Sequence, residues 1–325
     1  MKLQKRNWLK GYSRFERMDF PFVYLLIAVP VLHFLVFWVY VNSSSIAMAF
    51  LNTKGDFTFN NFKTVFDAFV TKDMYGISLK GSLLRSLTLW LCGEIICFPI
   101  SIITTYVLAR KILGHYVFRI CYLIPSLMGA IIWTALVGFM VTGKGYGDGG
   151  PIISLLERLG VELPKMAIRE GLFGAKETAF VTLLSVRILM GLVGQNAVMT
   201  GAFARVPEEL FESARLDGAG FWDECFKIAI PCIWSTLSTL LTFALCSIFT
   251  ADYNVYLFTN GTGGPDGSMS TIGFQLYNLT YRLSQGNSDN YGYPAALGLS
   301  LTLITLPVVL IGRRVLEKVQ ENVEV

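Results

Sequence analysis

The sequence predicts an all-α integral membrane protein with six transmembrane helices and both termini in the cytoplasm. Composition is the first reason: 53% of the 325 residues are hydrophobic and only 15% are charged, against about 25% charged in soluble domains. The second is a set of six apolar runs that reach or approach the ~20 residues needed to cross a hydrocarbon core of ~30 Å. The third is the placement of the basic residues. Of the 27, 15 fall in four short segments (1–19, 109–119, 204–227 and 312–325), and 10 are spread over the longer segments 42–81, 142–177 and 250–291. Lys and Arg close to span ends stay on the cytoplasmic side, so the short segments are the inner ones. The net charge of +4 is small and scattered, which gives no reason to expect a nucleic-acid partner.

The runs follow in order. The first, 20–41, is too long for the apolar part of a cleavable signal and has no small-residue cleavage site. It is expected to remain as span one, behind a cytoplasmic tail over 1–19. Span two, 83–108, carries Arg85 near its start and Glu94 inside it. Spans three and four are 116–141 and 178–203, the latter with Arg187. Spans five and six are 228–249 and 292–311, and 313–325 forms a second cytoplasmic tail. Residues 20–312 thus make one membrane domain. Their all-round apolar character separates these runs from soluble-core helices, which average about 11–12 residues and keep a polar stripe.

Six cysteines lie in or beside spans with no Cys-x-x-Cys pair, and His33 and His115 are the only histidines. Buried free thiols are expected, and disulfides or zinc are not. The run 145–150 fits G-x-G-x-x-G but lies after a span, not between a strand and a helix, so it is read as a flexible turn. Residues 138–144 fit G-x-x-x-x-G-K, yet Gly145 stands where a Ser or Thr must reach magnesium. The chain therefore offers no nucleotide site of its own.

The segment 204–228 is the most polar inner stretch. Pro207 suits a first helical turn, and Glu208 and Glu209 complement the positive end of the helix dipole. A short helix is expected to about Leu216. Gly218 can take positive φ and turn the chain, after which a helical pattern resumes and Pro231 opens the next span. Ser213 and Ala214 are small enough for close approach, with Glu212, Arg215 and Asp217 around them. A solvated connector is the bland alternative.

Glu212-Ser213-Ala214, three residues, Gly218, nine residues, then Ile228-Ala229-Ile230-Pro231 resembles the EAA loop of permease subunits of binding-protein-dependent ABC importers, EAA-x3-G-x9-I-x-L-P. Ser213 and Ile230 are the departures, both conservative in size. Asp217-Gly218-Ala219, Leu257-Phe258-Thr259-Asn260-Gly261-Thr262-Gly263-Gly264-Pro265 and Tyr291-Gly292-Tyr293-Pro294-Ala295-Ala296 are similar to segments of the sugar-permease branch, the second to its T-x-G-G-P segment with an extension around Asn260 and Gly261. The resemblance covers roughly residues 80–312. It implies the MetI-like type I importer fold in a bacterial cytoplasmic membrane, and a transport subunit that is not itself an enzyme. It also implies that Glu212, Ser213, Ala214, Arg215, Asp217 and Gly218 form a coupling surface against a cytoplasmic ABC ATPase dimer. ATP and magnesium would sit in that partner, and this chain would bind no cofactor. A second permease subunit, usually a different chain, and an extracytoplasmic solute-binding protein would complete the importer of a carbohydrate, most naturally an oligosaccharide. The outer segments 144–176 and 259–291 are the obvious surfaces for the binding protein.

Candidate pathway residues come from chemistry within the spans. Arg187 and Glu94 lie roughly 14–17 Å deep at 1.5 Å per residue, where an ionised group normally faces a cavity or a partner. Arg187 either lines the substrate path or only pairs with Glu94 to hold two helices. Gln195 and Asn196 add amides further along span four. Asp252, Tyr253, Asn254 and Tyr256 alternate polar and aromatic groups beyond span five, a mix that suits sugar hydroxyls and ring faces. The tyrosines read equally well as interfacial anchors. A gradient-driven carrier usually needs intramembrane carboxylates, and only Glu94 lies well inside a span. A membrane-embedded enzyme would need paired carboxylates or a nucleophile with its base, and neither is visible.

Overall fold

The computed structural model describes residues 14–71, 78–110, 114–194, 196–283, 285 and 291–323. Among them no β-strand forms, and the single antiparallel bridge joins Leu51 to Phe57. Helix α1 (Arg14–His33) continues through a π-type turn (Phe34–Tyr40) into α2 (Val41–Ala49). The apolar part of this rod, Phe22–Ala49, buries none of its most apolar stretch against the rest of the chain. A helix apolar all round needs lipid or another chain as its surroundings. Its far end is tied down: Asn61 of α3 (Asn60–Val70) donates to the carbonyls of Ala49 at 3.0 Å and Leu51 at 2.9 Å, satisfying acceptors that a helix end leaves open.

A second rod, Leu79–Ala109, has 31 residues. It consists of α4 (Leu79–Cys92), a π-type turn (Gly93–Cys97) and α5 (Phe98–Ala109), and Ser78 caps its start by accepting from the Gly81 N–H. Pro99 explains the π turn: it has no N–H and its ring crowds the carbonyl four residues back, which one extra residue in the turn relieves.

The expected third and fifth spans are not single helices. Run 116–141 divides into α6 (His115–Leu127) and α7 (Ala130–Val141). Pro125 sits in the last turn of α6, and Met128 is extended at ψ 130. Two short helices follow, α8 (Pro151–Arg158) and α9 (Lys165–Glu170). Run 178–203 becomes α10 (Lys176–Gly194) and α11 (Asn196–Phe203), with Gln195 between them outside the described residues. After α12 (Glu208–Leu216) the chain forms α13 (Phe221–Asp223), a π turn (Glu224–Ala229) and α14 (Ile230–Cys232), then bends by 73° into α15 (Trp234–Cys246). Pro231 therefore ends a helical segment instead of opening the next span, as a missing N–H and a π turn together dictate. Helices α16 (Val255–Thr259), α17 (Ile272–Arg282) and α18 (Gly292–Val323) complete the chain, α18 running well past residue 311 into the expected tail. Among the described residues three helices are long and apolar enough to cross a membrane, Phe22–Ala49, Leu79–Ala109 and Gly292–Val319, or four if the bent pair is one span.

Lipid tails are as apolar as Leu, so packing and buried hydrogen bonds hold such helices together. One cluster joins Phe98, Ile102 and Tyr106 of α5 to Met199, Phe211 and Leu237. Another joins Ala49, Val65 and Leu79 to Ile272 and Leu297. Between α4 and the chain entering α17 runs a polar seam. The Ile272 N–H donates to Ser86 Oγ at 2.8 Å, and Arg85 Nε donates to the Ser270 carbonyl at 2.8 Å. Such bonds are worth on average about 0.6 kcal/mol each. All six cysteines are free, but only Cys97 and Cys225 are buried, while Cys121, Cys232 and Cys246 lie exposed. The expectation of buried thiols fails there because much of the apolar helix surface faces away from this chain's own core.

Candidate functional site

Two places gather the predicted residues. The first lies where the π turn of the second rod meets α10. Glu94 and Arg187 approach to 4.0 Å, both mostly buried. The Arg187 guanidinium lies 5.4 Å from the centre of the Tyr253 ring, within cation–π range. Glycines make the room: a β-carbon at Gly93 would overlap the guanidinium, and one at Gly191 would fall 2.9 Å from its Nη1. Rod and α10 are stitched beside it by Ser101 Oγ, which donates to the Leu192 carbonyl at 3.3 Å, and by the Cys97 thiol on the Ile188 carbonyl at 3.4 Å. Gly93, Glu94, Ser101, Arg187 and Gly191 line a cavity of about 270 Å³. The pair is loosely made, since Arg187 Nε and Glu94 Oε2 are buried with no hydrogen-bond partner among the described residues.

The remaining pathway candidates divide. Tyr253 and Asn254 take left-handed backbone, at φ 56 and 59, and turn the chain into α16. Asp252 accepts from the backbone of Tyr256, yet its Oδ1 is buried with no partner among the described residues. Tyr256 does not reach the Arg187 site. Its ring stands edge-on to Tyr277 at 4.9 Å and to Tyr281 at 5.9 Å. Asn196 lies in helical backbone; its side chain, like Gln195, falls outside the described residues.

The second place is the loop around α12. The helix ends as the sequence predicts, at a glycine with φ +84. The Ala219 N–H donates to the Ala214 carbonyl at 2.9 Å and the Gly218 N–H to the Arg215 carbonyl at 3.0 Å, the paired bonds of a Schellman cap. Glu212, Ser213 and Asp217 are exposed, and Leu216 is 89% exposed, a bare apolar side chain at the helix end. Ala214 is turned the other way and, with Phe211, is buried on the inner face of α12. Its small size therefore serves packing within this chain, and it is not part of the outward face. Arg215 folds back to donate through Nε to Glu224 Oε1 at 2.9 Å.

Glu224 is the buried charged residue of this site that sequence reasoning missed. It is 3% exposed, and besides Arg215 it accepts from Tyr106 at 3.1 Å and from Arg110. Arg110 also sits over the Phe211 ring, 4.6 Å from its centre. The available signal was an acid six residues beyond the glycine turn together with a basic residue just past a span end.

Residues 98–324 match the family model described as a binding-protein-dependent transport system inner membrane component. The chain is similar to the diacetylchitobiose uptake system permease protein NgcF of Streptomyces coelicolor, 30% identical over 61% of this chain and 52% of that protein. It is also similar to the maltodextrin transport system permease protein MdxF of Bacillus subtilis, 27% identical over 68% of this chain and 50% of that one. The matched stretch thus spans about half the length of both relatives. The multiple sugar-binding transport system permease protein MsmF of Streptococcus mutans is 23% identical over 85% of this chain and 88% of its own. Relatives so named are transport permeases, not enzymes. In fold the chain is similar to one from a bacterial ABC transporter involved in the import of the acidic polysaccharide alginate, with TM-score 0.73 at 19% identity, covering 94% of this chain and 99% of that one. With more than two thirds of its length inside the matched region, this chain belongs to the family of binding-protein-dependent transport system inner membrane components.

Proposed function

We propose that the chain is the permease subunit of an ATP-driven importer that passes a carbohydrate, an oligosaccharide in particular, across the bacterial cytoplasmic membrane. The carrying observation is the α12 elbow: a rigid helix locked by a glycine cap, with Glu212, Ser213, Leu216 and Asp217 on an outward face that this chain leaves uncovered. In a family of transport components without a nucleotide site here, that face is the natural seat of a separate ATPase dimer, which binds the ATP and magnesium. The domain reading is 20–312 as six spans between cytoplasmic ends 1–19 and 313–325, with spans three and five as interrupted helices. Irregular backbone at membrane depth is tolerated where protein or a water-filled cavity surrounds it.

The Arg187 cavity belongs to the substrate path in this reading. Its free guanidinium N–H, free carboxylate oxygen and tyrosine face match the hydroxyls and ring faces of a sugar. At about 270 Å³ it falls just short of the roughly 300–1,000 Å³ of ligand pockets, so a second permease subunit completes it. The tyrosine group at Tyr256 and the outer segments 144–176 and 259–291 face the external solute-binding protein.

The test is purification from native membranes through a tag on this chain, followed by reconstitution into proteoliposomes. An ATPase subunit and a second permease are expected to co-purify, and uptake of labelled oligosaccharides is expected to require internal ATP. Uptake driven by an ion gradient with no ATPase bound would replace this reading with a secondary carrier.

A further inference from the structure

We propose that Glu224 is the joint through which displacement of α12 reaches the second membrane rod, making it a positioning residue for transport. The proposal rests on the coupling role given above to α12. Its geometry stands independently. A single buried carboxylate straddles two elements: Oε1 accepts from Arg215 in the last turn of α12, and Oε2 accepts from Tyr106 and Arg110 at the end of α5. Glu224 itself belongs to a third element, the π turn, nine residues ahead of the bend at Ile233. Arg110 adds a second tie to α12 through the face of Phe211.

Apolar side chains slide over one another at little cost, whereas a buried ion pair that loses a partner is strongly penalised. The carboxylate therefore keeps its hold as the elements shift, and the motion of one must be followed by the other. From Arg110 the rod runs back through α5 to the π turn at Glu94, 16 residues or about 24 Å along the axis at 1.5 Å per residue. A push on the exposed face of α12 is delivered in this way to the wall of the Arg187 cavity.

Hydrogen–deuterium exchange on the intact, tag-purified complex tests this without knowledge of the cargo. Exchange is compared with and without Mg-ATP plus orthovanadate, which traps an ATPase pair closed. In the natural complex, residues 208–217 and residues 93–109 are both expected to change. In Glu224→Gln the change over 208–217 should persist while that over 93–109 falls roughly threefold or more, the size of effect a mutation on a coupling path produces. Arg215→Gln, which cuts only the α12 side and is half-exposed, should do the same, and carries the test if Glu224→Gln fails to assemble. A full 93–109 response in an assembled variant, even one with lowered melting temperature, makes Glu224 a packing residue and overturns the proposal. No vanadate response over 208–217 in the natural complex overturns the coupling reading itself.

Discussion

Among the described residues, two largely buried acids meet arginine, and they meet it differently. Glu224 is saturated: both of its oxygens are engaged, by Arg215 on one side and by Tyr106 and Arg110 on the other. Glu94 is not: its arginine stands at 4.0 Å, and each partner keeps a buried atom with no hydrogen bond among the described residues. Burial of charge is costly in both places. Only the first recovers that cost through geometry, so the first reads as structure under load and the second as capacity held for a ligand or a rearrangement.

The largest expected effect separates the two acids directly. Glu224→Ala strands Arg110 beside Tyr106 and Phe211 and should destabilise the protein by about 3–5 kcal/mol, the cost of removing one member of a buried pair. Glu94→Ala should cost about 1 kcal/mol or less, as loosely made intramembrane contacts do. Denaturation of the detergent-purified chain measures both, and equal losses would abolish the distinction.

Next in size is the packing around Arg187. Gly93→Ala puts a methyl group into the guanidinium and should cost about 1–3 kcal/mol as an overpacked site. Propensity alone would favour Ala in a helix by roughly 0.5–1 kcal/mol. A destabilised single variant, rescued when Arg187→Gln is added, identifies the overlap as the cause. A stabilised one means the arginine moves aside freely.

A smaller effect is expected at the elbow. No atom lies within 4 Å of a β-carbon built on Gly218, so Gly218→Val meets no steric wall. At φ +84 it still carries the left-handed penalty of about 1–2 kcal/mol. The complex should assemble and hydrolyse ATP while uptake falls, and normal uptake would count strongly against docking at α12.

The sequence made the inner loop readable because its signals are local. Pro207, Glu208, Gly218 and their spacing report directly on a helix start and stop, and Gly218 takes the positive φ expected of it. Span breaks were much harder to read. Hydropathy averages over Pro125 and Pro231, so runs that are continuous in composition break in space. The Arg187–Glu94 meeting was legible from depth alone, as two charges entering their spans to a similar distance. Glu224 was hidden because its partners are 118, 114 and 9 residues away, and no local pattern links a loop acid to the end of another span. Ala214 shows the opposite error: a small residue in a motif reads as a contact surface until the fold reveals which way it points.

The smallest expected change in stability is at Arg187, and it is the one that decides what the cavity is for. Arg187→Gln keeps N–H donors, at shorter reach, but removes the charge, the cation–π contact with Tyr253 and the attraction to Glu94. Because the pair is long and half-satisfied, the loss of stability should stay within about 1 kcal/mol. Uptake should nevertheless fall, since the guanidinium is the strongest donor facing the cavity. A double-mutant cycle with Glu94→Gln adds the decisive number, because residues in real contact couple by about 0.5–3 kcal/mol. Weak coupling with impaired uptake assigns Arg187 to the substrate path. Strong coupling with intact uptake and a lowered melting point makes the pair a clamp between α10 and the second rod, and the contrast with Glu224 then becomes one of tightness alone.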